Sequence, residues 1–214
     1  MKLKIINNLK ENLLVEERIY VALNLMTLSN LKEFHHPRNI YWIDGLFGVL
    51  FCKIKGLSLK RKPGRELLSN VLKQCDKFVL FGNISNDKAV DSRIEKHYPL
   101  IKYKEEVGNI NFNIIKNSVI IISLPSPLQE SLSKKIDKSN IILCIGGAFG
   151  MLNNKKLIPP KLMQHLHLEF IWRLRHDTKR RFLRLFKSLL DLSLNINYIR
   201  NFEVMQYDLD DIKD

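Results

Sequence analysis

Polar residues stand directly after strongly apolar runs of the sequence, and these residues are the first candidates for chemistry. Asp44 follows the run NIYWI and precedes Gly45. A carboxylate in that position is a candidate general base, since it can take a proton from a hydroxyl nucleophile. The other interpretation is that Asp44 caps a helix that starts near Leu46, a place where aspartate is common. The local sequence leaves both interpretations open.

A pair of glycines and a Gln-Glu pair follow two further apolar runs. Gly146 and Gly147 come after NIILCI, where backbone N–H groups can approach a diphosphate or where the chain simply makes a tight turn. Gln129 and Glu130 open a predicted helix after SVIIISL. The amide of Gln129 suits sugar hydroxyls or the edge of a base. The pair is also explained by an ordinary first-turn acid, which the helix dipole favours.

Metal-binding and redox patterns are missing from the sequence, so we expect no metal and no cofactor. His165 and His167 are two residues apart on a predicted helix, which points them to different sides. The three cysteines, Cys52, Cys75 and Cys144, are far apart, and each lies among apolar residues. Their odd number and irregular spacing are typical of buried small side chains in a reducing compartment.

The scaffold that must position these residues is predicted to alternate between strands and helices. Short apolar runs, rich in β-branched and aromatic residues, predict buried strands over 19–23, 39–43, 77–82, 118–124 and 140–145. Helices are predicted over 64–74, 86–97, 127–136, 161–175 and 179–194. Strands that are apolar throughout indicate a sheet covered on both faces. The pattern predicts an α/β fold, a Rossmann-like and mainly parallel sheet flanked by helices.

A parallel sheet would bring the candidate residues together. Ligands of open α/β sheets bind at the carboxyl ends of the strands. Asn24 follows the first predicted strand as Asp44 follows the second, and Gly146 follows the last. We therefore expect the site at this edge of the sheet.

Basic residues dominate the chain, which has 214 residues and a formal net charge of +13. This charge favours anionic partners such as nucleic acid, phosphorylated ligands or acidic lipid. Seven Lys and Arg and one acid fall within 173–187, and the predicted helix 179–194 has a basic amphipathic pattern. The sequence predicts an α/β core over 1–160, a basic helical appendage of the same domain over 161–200, and an acidic tail over 201–214.

Nothing at the N-terminus has the pattern of an export signal. The longest apolar stretch, 141–152, is shorter than the roughly 20 residues that span a bilayer. A basic amphipathic helix is the kind of segment that lies on anionic headgroups. We therefore expect a cytoplasmic protein that contacts the inner face of the cell membrane peripherally.

Six short motifs, in order between about Tyr20 and Leu185, resemble the WecG/TagA/CpsF family of glycosyltransferases. They are Asp44-Gly45; Arg61-Lys62-Pro63-Gly64-Arg65-Glu66-Leu67; Pro127-Leu128-Gln129-Glu130; Gly146-Gly147-Ala148-Phe149; Leu168-Glu169-Phe170-Ile171-Trp172-Arg173-Leu174; and the later arginines Arg180 and Arg184. Their order and spacing are more specific than any single motif.

The resemblance implies transfer of N-acetylmannosamine, or a related sugar, from a UDP donor to a polyprenyl-diphosphate-linked sugar in cell-surface polysaccharide synthesis. It also implies inversion at the anomeric carbon without a metal. By the same resemblance, Asp44 is the general base on the acceptor hydroxyl. The residues expected to bind substrate are Asn24, Arg61, Gly64, Gln129, Glu130, Gly146, Gly147, Arg173, Arg180 and Arg184, the last three against the leaving diphosphate.

Departures from the family's pattern keep one other function open, and the basic charge of the chain keeps a second one open. Ala22 stands where the family has threonine, Pro125 lies in a segment where it has more glycine, and Gly150 replaces an aspartate. One alternative is a weakened relative that binds a nucleotide sugar or a partner without turnover. The other is a basic nucleic-acid-binding α/β domain, but the basic cluster lacks an RNP or helix-turn-helix pattern, so we expect no nucleic-acid partner. No feature of the sequence sets the oligomeric state.

Overall fold

A sheet of parallel strands brings the carboxyl ends of its strands to a common edge. The structure is a computed structural model that describes residues 2–6, 17–82, 91–100, 103–149, 158–166, 168–174 and 178–207. The strands in these ranges are β1 (Lys2–Ile6), β2 (Ile19–Leu23), β3 (Asn39–Ile43), β4 (Phe78–Phe81), β5 (Ile94–Tyr98), β6 (Val119–Ile122), β7 (Ile141–Cys144) and β8 (Glu203–Tyr207). Neighbours pair in parallel in the order β5-β4-β6-β7-β2-β3-β1-β8.

Helices flank the sheet on both faces. In the described ranges they are α1 (Leu25–Ser29), α2 (Leu31–Phe34), α3 (Gly45–Ile54), α4 (Gly64–Gln74), α5 (Tyr103–Gly108), α6 (Leu128–Ser133), α7 (Lys161–His165), α8 (Glu169–Leu174), α9 (Thr178–Leu194) and α10 (Ile196–Arg200). A short 3₁₀ turn covers Phe112–Ile114. The parallel sheet and its flanking helices confirm the predicted Rossmann-like α/β fold.

Alternate residues of the central strands pack into two separate apolar cores. On β2, Val21 and Leu23 pack on the face that α1, α3 and α6 cover. Tyr20 and Ala22 pack on the opposite face, against α4. A strand buried on both sides needs apolar residues at every position, which is why β2 reads IYVAL.

The strands that end at Asn24 and Asp44 lie where the sequence predicts them. β2 and β3 have the predicted bounds, and each is buried along its whole length. β4, β6 and β7 lie within their predicted ranges, and α4 matches its range in full. Helix α6 falls within the predicted range 127–136, although Pro127 precedes its first turn instead of starting it.

The helix predicted over 86–97 is wrong. The strand β5 occupies 94–98 instead, and 83–90 lie outside the described residues. The sequence of β5, IEKHY, is mostly exposed and pairs with β4 alone. Edge strands tolerate such charges, so a search for apolar runs does not find them.

Two predictions near the C-terminus also need correction. The helix predicted over 161–175 is divided into α7 and α8, because the chain turns at Leu166, and the Leu168 N–H bonds to the Met163 carbonyl at 2.8 Å. The predicted acidic tail is not only a tail, since residues 203–207 form β8 beside β1. Neither β1 nor β8 was predicted, because Lys, Glu and Gln interrupt their apolar residues. Residues 208–214 lie outside the described ranges.

The long helix α9 packs along α1. The Ser188 hydroxyl donates to Met26 Sδ at 3.2 Å, and Asn195 donates to the Ser29 carbonyl at 3.3 Å. Residue numbers therefore rise in the same direction along both segments, and Arg184 lies one turn before Ser188, toward the Asn24 end of α1. The outer side of α9 exposes large apolar side chains, namely Phe182, Leu183, Phe186, Leu189, Leu190 and Leu194.

The three cysteines are buried and carry free thiols, which confirms their prediction as small core residues. Burial raises the pKa of Cys52 to about 11, and burial likewise raises the pKa of Cys144. Such thiols are unreactive at neutral pH. In the part of the chain that the structure describes, no helix is both long enough and apolar enough to cross a membrane.

Candidate active site

Asp44 lies at the carboxyl end of β3, where the strand passes into α3. Its backbone N–H bonds to the Leu23 carbonyl at 3.2 Å, so the β2–β3 pairing extends up to this residue. Asp44 holds the N-cap position of α3, yet its side chain makes no capping hydrogen bond. The carboxylate lies 3.9 Å from Arg61 Nε, and the side chain keeps 21% of its surface exposed. Capping of α3 therefore does not account for this aspartate.

Helix α3 is seated directly on the end of β2, which fixes the start of the helix beside Asn24. A Cβ atom on Gly48 would lie 2.1 Å from the Leu23 carbonyl oxygen. Only glycine lets the helix approach this closely. The Asp44 position thus depends on a backbone contact one turn further along the same helix.

A buried ionic network lies behind Asp44 and connects two distant segments of the chain. Glu169, the first residue of α8, pairs through one carboxylate oxygen with Arg61 and through the other with Arg65 at 2.9 Å. Arg61 also donates to the Gln164 carbonyl at 2.9 Å, and Arg65 donates to Gln164 Oε1 at 2.5 Å. The side chains of Arg61 and Glu169 are each 6% exposed. Helices α7 and α8 are therefore joined to the loop before α4.

Gln129 and Glu130, at the start of α6, are buried and hydrogen-bonded to their own surroundings. Gln129 Oε1 accepts from the Gly146 N–H at 2.9 Å, and its amide nitrogen donates to Glu130 Oε1 at 2.8 Å. The Ser126 hydroxyl donates to the same Glu130 oxygen at 2.6 Å. These bonds join the loop after β6 to the glycine turn after β7. They place the two side chains beneath the edge rather than on its surface.

Burial dominates the electrostatics of Glu130. The loss of solvation raises the pKa of its carboxyl, although hydrogen bonds from Ser126 and Gln129 act in the opposite direction. Its second oxygen, Oε2, is buried without a hydrogen-bond partner. Such a carboxyl favours its neutral form more than an exposed glutamate does.

The glycine positions differ in what surrounds them. Gly146 adopts a φ of +55°, and its carbonyl accepts from the Ser123 hydroxyl at 2.8 Å. Its N–H donates to the Gln129 side chain, so hydrogen bonds with two side chains fix the conformation of the turn at Gly146. A Cβ on Gly147 would meet no atom within 4 Å, whereas a Cβ on Gly64 would lie 3.7 Å from Ala148. Gly147 faces open space, and Gly64 packs against the same turn.

Asn24 and the arginines complete the inventory of predicted site residues. Asn24 caps α1 by accepting from the Thr27 N–H at 3.2 Å, at the carboxyl end of β2 beside Asp44. Arg184 is half-buried on α9. Arg173 and Arg180 belong to α8 and α9, but their side chains lie outside the described residues.

The residues gathered at this edge are thus Asn24, Asp44, Arg61, Gly64 and the turn at Gly146. Asp44 lies against Arg61, Gly146 is bonded to Gln129, and a Cβ on Gly64 would lie 3.7 Å from Ala148, next to the same glycine turn. A partly exposed carboxylate with a guanidinium beside it can accept a proton from a bound hydroxyl. Among the described residues, no group of three or more His, Cys, Asp or Glu side chains is arranged to hold a metal ion.

Sequence reasoning did not assign a role to Arg65, Gln164 or Glu169. Arg65 and Glu169 both lie within the motifs quoted above, so the sequence did mark both positions as candidates for a role at the site. An acid in an otherwise apolar segment, LEFIW, is unusual unless it has a buried cationic partner. The partner comes from a segment about a hundred residues away, which spacing alone does not reveal.

Comparison with known proteins gives a single family. A sequence model described as the glycosyl transferase WecG/TagA/CpsF family matches residues 6–201. That range includes all the residues described at this edge. No curated protein and no solved structure matches the chain.

Proposed function

This chain belongs to the WecG/TagA/CpsF family of glycosyltransferases, and we propose that it is an inverting, metal-independent transferase that uses a UDP-linked sugar. Family membership makes it a glycosyltransferase of cell-surface polysaccharide synthesis. The proposed donor carries N-acetylmannosamine or a related sugar, and the proposed acceptor is a sugar on polyprenyl diphosphate.

The observation that carries the proposal is the place of Asp44. This carboxylate stands at the carboxyl edge of the sheet, partly exposed and 3.9 Å from Arg61 Nε. Open α/β sheets bind their ligands at this edge. Asp44 makes no side-chain capping bond, and a partly exposed carboxylate at this edge can act as a base toward a bound hydroxyl.

In the proposed reaction, the acceptor hydroxyl attacks the anomeric carbon of the donor sugar from the face opposite UDP. The bond between that carbon and the β-phosphate oxygen breaks, and UDP leaves with the electron pair. Asp44 takes the hydroxyl proton, so that the new glycosidic bond forms without a charged oxygen. Attack from the opposite face inverts the configuration.

The departing diphosphate requires positive charge, which arginine can supply in a fork that matches phosphate oxygens. Arg184 lies toward the Asn24 end of α1, as the register of α9 on α1 indicates. We assign Arg173, Arg180 and Arg184 to this role, and Asn24, Gly64 and Gly147 to the walls of the donor and acceptor site. For Arg61, Gln129, Glu130 and Gly146, the internal bonds described above support a role in shaping the site.

A lipid-linked acceptor calls for a membrane surface beside the site. The outer side of α9 exposes six large apolar residues, and Leu162, Leu166 and Ile171 are exposed on and just after α7 and on α8. Large apolar side chains exposed together on neighbouring segments are typical of interaction surfaces, and the net charge of +13 favours anionic headgroups. These features support peripheral association at the inner face of the cell membrane.

The test is a transfer assay with purified protein, preceded by a thermal-shift screen of nucleotide sugars. A UDP-sugar should raise the unfolding temperature, since a ligand stabilises the state that binds it. With a short polyprenyl-diphosphate-linked sugar, the protein should then release UDP and form the extended lipid, detected by mass. Binding without turnover on any acceptor would indicate the non-catalytic relative, and a salt-sensitive shift of RNA or DNA would indicate the nucleic-acid alternative.

A further inference from the structure

The network around Glu169 holds an uneven set of charges. Arg61 and Arg65 are both largely buried, and Glu169 is the buried acid that pairs with both. Asp44 contacts Arg61 from the exposed side. In the described contacts, Glu169 is thus the buried carboxylate that two guanidinium groups share, while Asp44, which is 21% exposed, contacts Arg61, and Glu66, which is 55% exposed, contacts Arg65.

Glu169 controls which part of Arg61 faces Asp44. The Nη2 atom of Arg61 bonds to Glu169 Oε1, its Nη1 atom bonds to the Gln164 carbonyl, and its Nε edge is left toward Asp44. A guanidinium is planar and rigid. Fixing two of its nitrogens therefore fixes the third.

We infer that Glu169 is a positioning and charge-balancing residue for the proposed base, acting on Asp44 through Arg61. Without the Glu169 carboxylate, Arg61 would lose the closer of its two described carboxylate partners, and more of its positive charge would act on Asp44. A carboxylate so strongly favoured in its ionised form is a weaker base toward a hydroxyl. The negative charge of Glu169, which lies on α8, offsets part of the positive charge that acts on Asp44.

Glu169 also connects Asp44 with the C-terminal helices. Glu169 is the first residue of α8, and α8 and α9 both belong to the C-terminal segment of the chain. The exposed apolar residues lie on the outer side of α9. The Glu169 side chain thus takes part both in packing the C-terminal segment against the core and in setting the charge around Asp44. This inference rests on the proposed function, because it takes Asp44 as the base.

Other charged groups near Asp44 must be considered in any titration. Arg61 contacts Asp44, and Glu169 and Arg65 belong to the same network. Lys60, Lys62 and Glu66 are the other charged residues of the segment 60–66 that carries the two arginines. Glu66 provides the matched control, since it lies 3.7 Å from Arg65 but is 55% exposed. An exposed pair of this kind is screened by solvent and contributes little.

The experiment follows the carboxyl carbon of Asp44 by NMR in full-length protein labelled with ¹³C-aspartate, with D44N used for assignment. In E169Q, the midpoint of the Asp44 titration should fall, because a nearby negative charge is lost while two positive charges stay. The acid limb of kcat/KM should move to lower pH, and kcat should fall about tenfold. In E66Q, the midpoint and kcat should equal those of the parent.

An Asp44 midpoint that stays unchanged or rises in E169Q would overturn the inference, since simple loosening of the fold does not lower it. If E169Q fails to fold, R61Q and the double variant R61Q/E169Q decide the point, because the double variant replaces the ion pair with neutral amides of similar size. Because Glu169 is inferred to act through Arg61, R61Q alone should raise the Asp44 midpoint, and adding E169Q to R61Q should leave that midpoint nearly unchanged. A midpoint that does not rise in R61Q, or a full downward shift in the double variant, would count against the inference. If the parent transfers no sugar, the proposed function fails, whereas the titration still tests Glu169.

Discussion

Asp44 shows how far a single position can be interpreted from sequence. Its place after an apolar strand and before a glycine predicted either a base or a helix cap. The local sequence could not choose, because both depend on where the side chain points. The structure shows an N-cap residue whose carboxylate makes no capping bond and faces Arg61 instead.

Gln129 and Glu130 are a second case at the same scale, and their role toward a ligand stays a prediction. The sequence predicted that both line the ligand site, and their motif supports their importance. The structure places both under the edge, where Gln129 bonds to Gly146 and Glu130 bonds to Ser126. Whether a polar side chain meets a ligand or a buried partner depends on loops distant in sequence, which spacing does not specify.

Glu130 leads to a prediction about pH and stability. Burial raises the pKa of its carboxyl in the folded protein, above the value near 4.3 of an unfolded glutamate. Its contribution to stability is therefore fully present below about pH 4.3 and is lost as the pH rises through the folded pKa. Replacing it by glutamine should remove this loss, so E130Q should gain stability relative to the parent between pH 4 and 8.

Urea unfolding at a series of pH values measures this difference in the free energy of unfolding. The exposed residue Glu95 gives the control, and E95Q should follow the parent at every pH. An E130Q protein whose stability runs parallel to that of the parent across the range would contradict the burial argument.

At the scale of elements, burial decided which strands the sequence predicted. β2 and β3 were predicted with their full bounds because both faces of each strand are covered, so every residue is apolar. β1, β5 and β8 were missed, because polar residues interrupt them and β5 and β8 lie at the two edges of the sheet. The break between α7 and α8 was missed too, since it serves a contact of Glu169 with a distant loop.

The seating of α3 on β2 gives a prediction at this scale. A methyl group at position 48 would overlap the Leu23 carbonyl at 2.1 Å, so α3 must move away from the sheet in G48A. We expect a loss of about 1–3 kcal/mol in the free energy of unfolding, the usual cost of overpacking. Urea unfolding measures it.

Gly108 provides the matched control for this change. A Cβ there would meet no atom within 4 Å, so G108A should stay within about 0.5 kcal/mol of the parent, as surface substitutions do. Equal stability of G48A and G108A would show that the close approach of α3 is not required.

At the scale of the whole molecule, the C-terminal segment combines a packed side and an exposed apolar side. Helix α9 is held on α1 through Ser188 and Met26, while Phe182 and Phe186 face outward. The amphipathic pattern predicted from the sequence is therefore present, but its apolar residues face solvent as well as the protein. The division into a core and an appendage of one domain stays a prediction.

This exposed side predicts how the protein meets a membrane. The double variant F182S/F186S should bind anionic vesicles at least tenfold less in a sedimentation assay, because burial of each phenylalanine contributes about 1.5–3 kcal/mol. Its fold should be intact, since both side chains are exposed. I114S is the control, because Ile114 is exposed at the amino edge of the sheet, and it should bind like the parent. Equal binding by both variants would argue against α9 as the contact.

The central claim is that Asp44 takes the proton of the acceptor hydroxyl while other residues hold the donor. The most direct measurement compares D44N with the parent in two assays, steady-state transfer and calorimetric binding of the UDP donor. We predict that kcat falls by about 10²–10⁴-fold, the usual contribution of a general base, while the dissociation constant of the donor changes by less than about threefold. A D44N protein that transfers sugar at the parental rate would contradict the account.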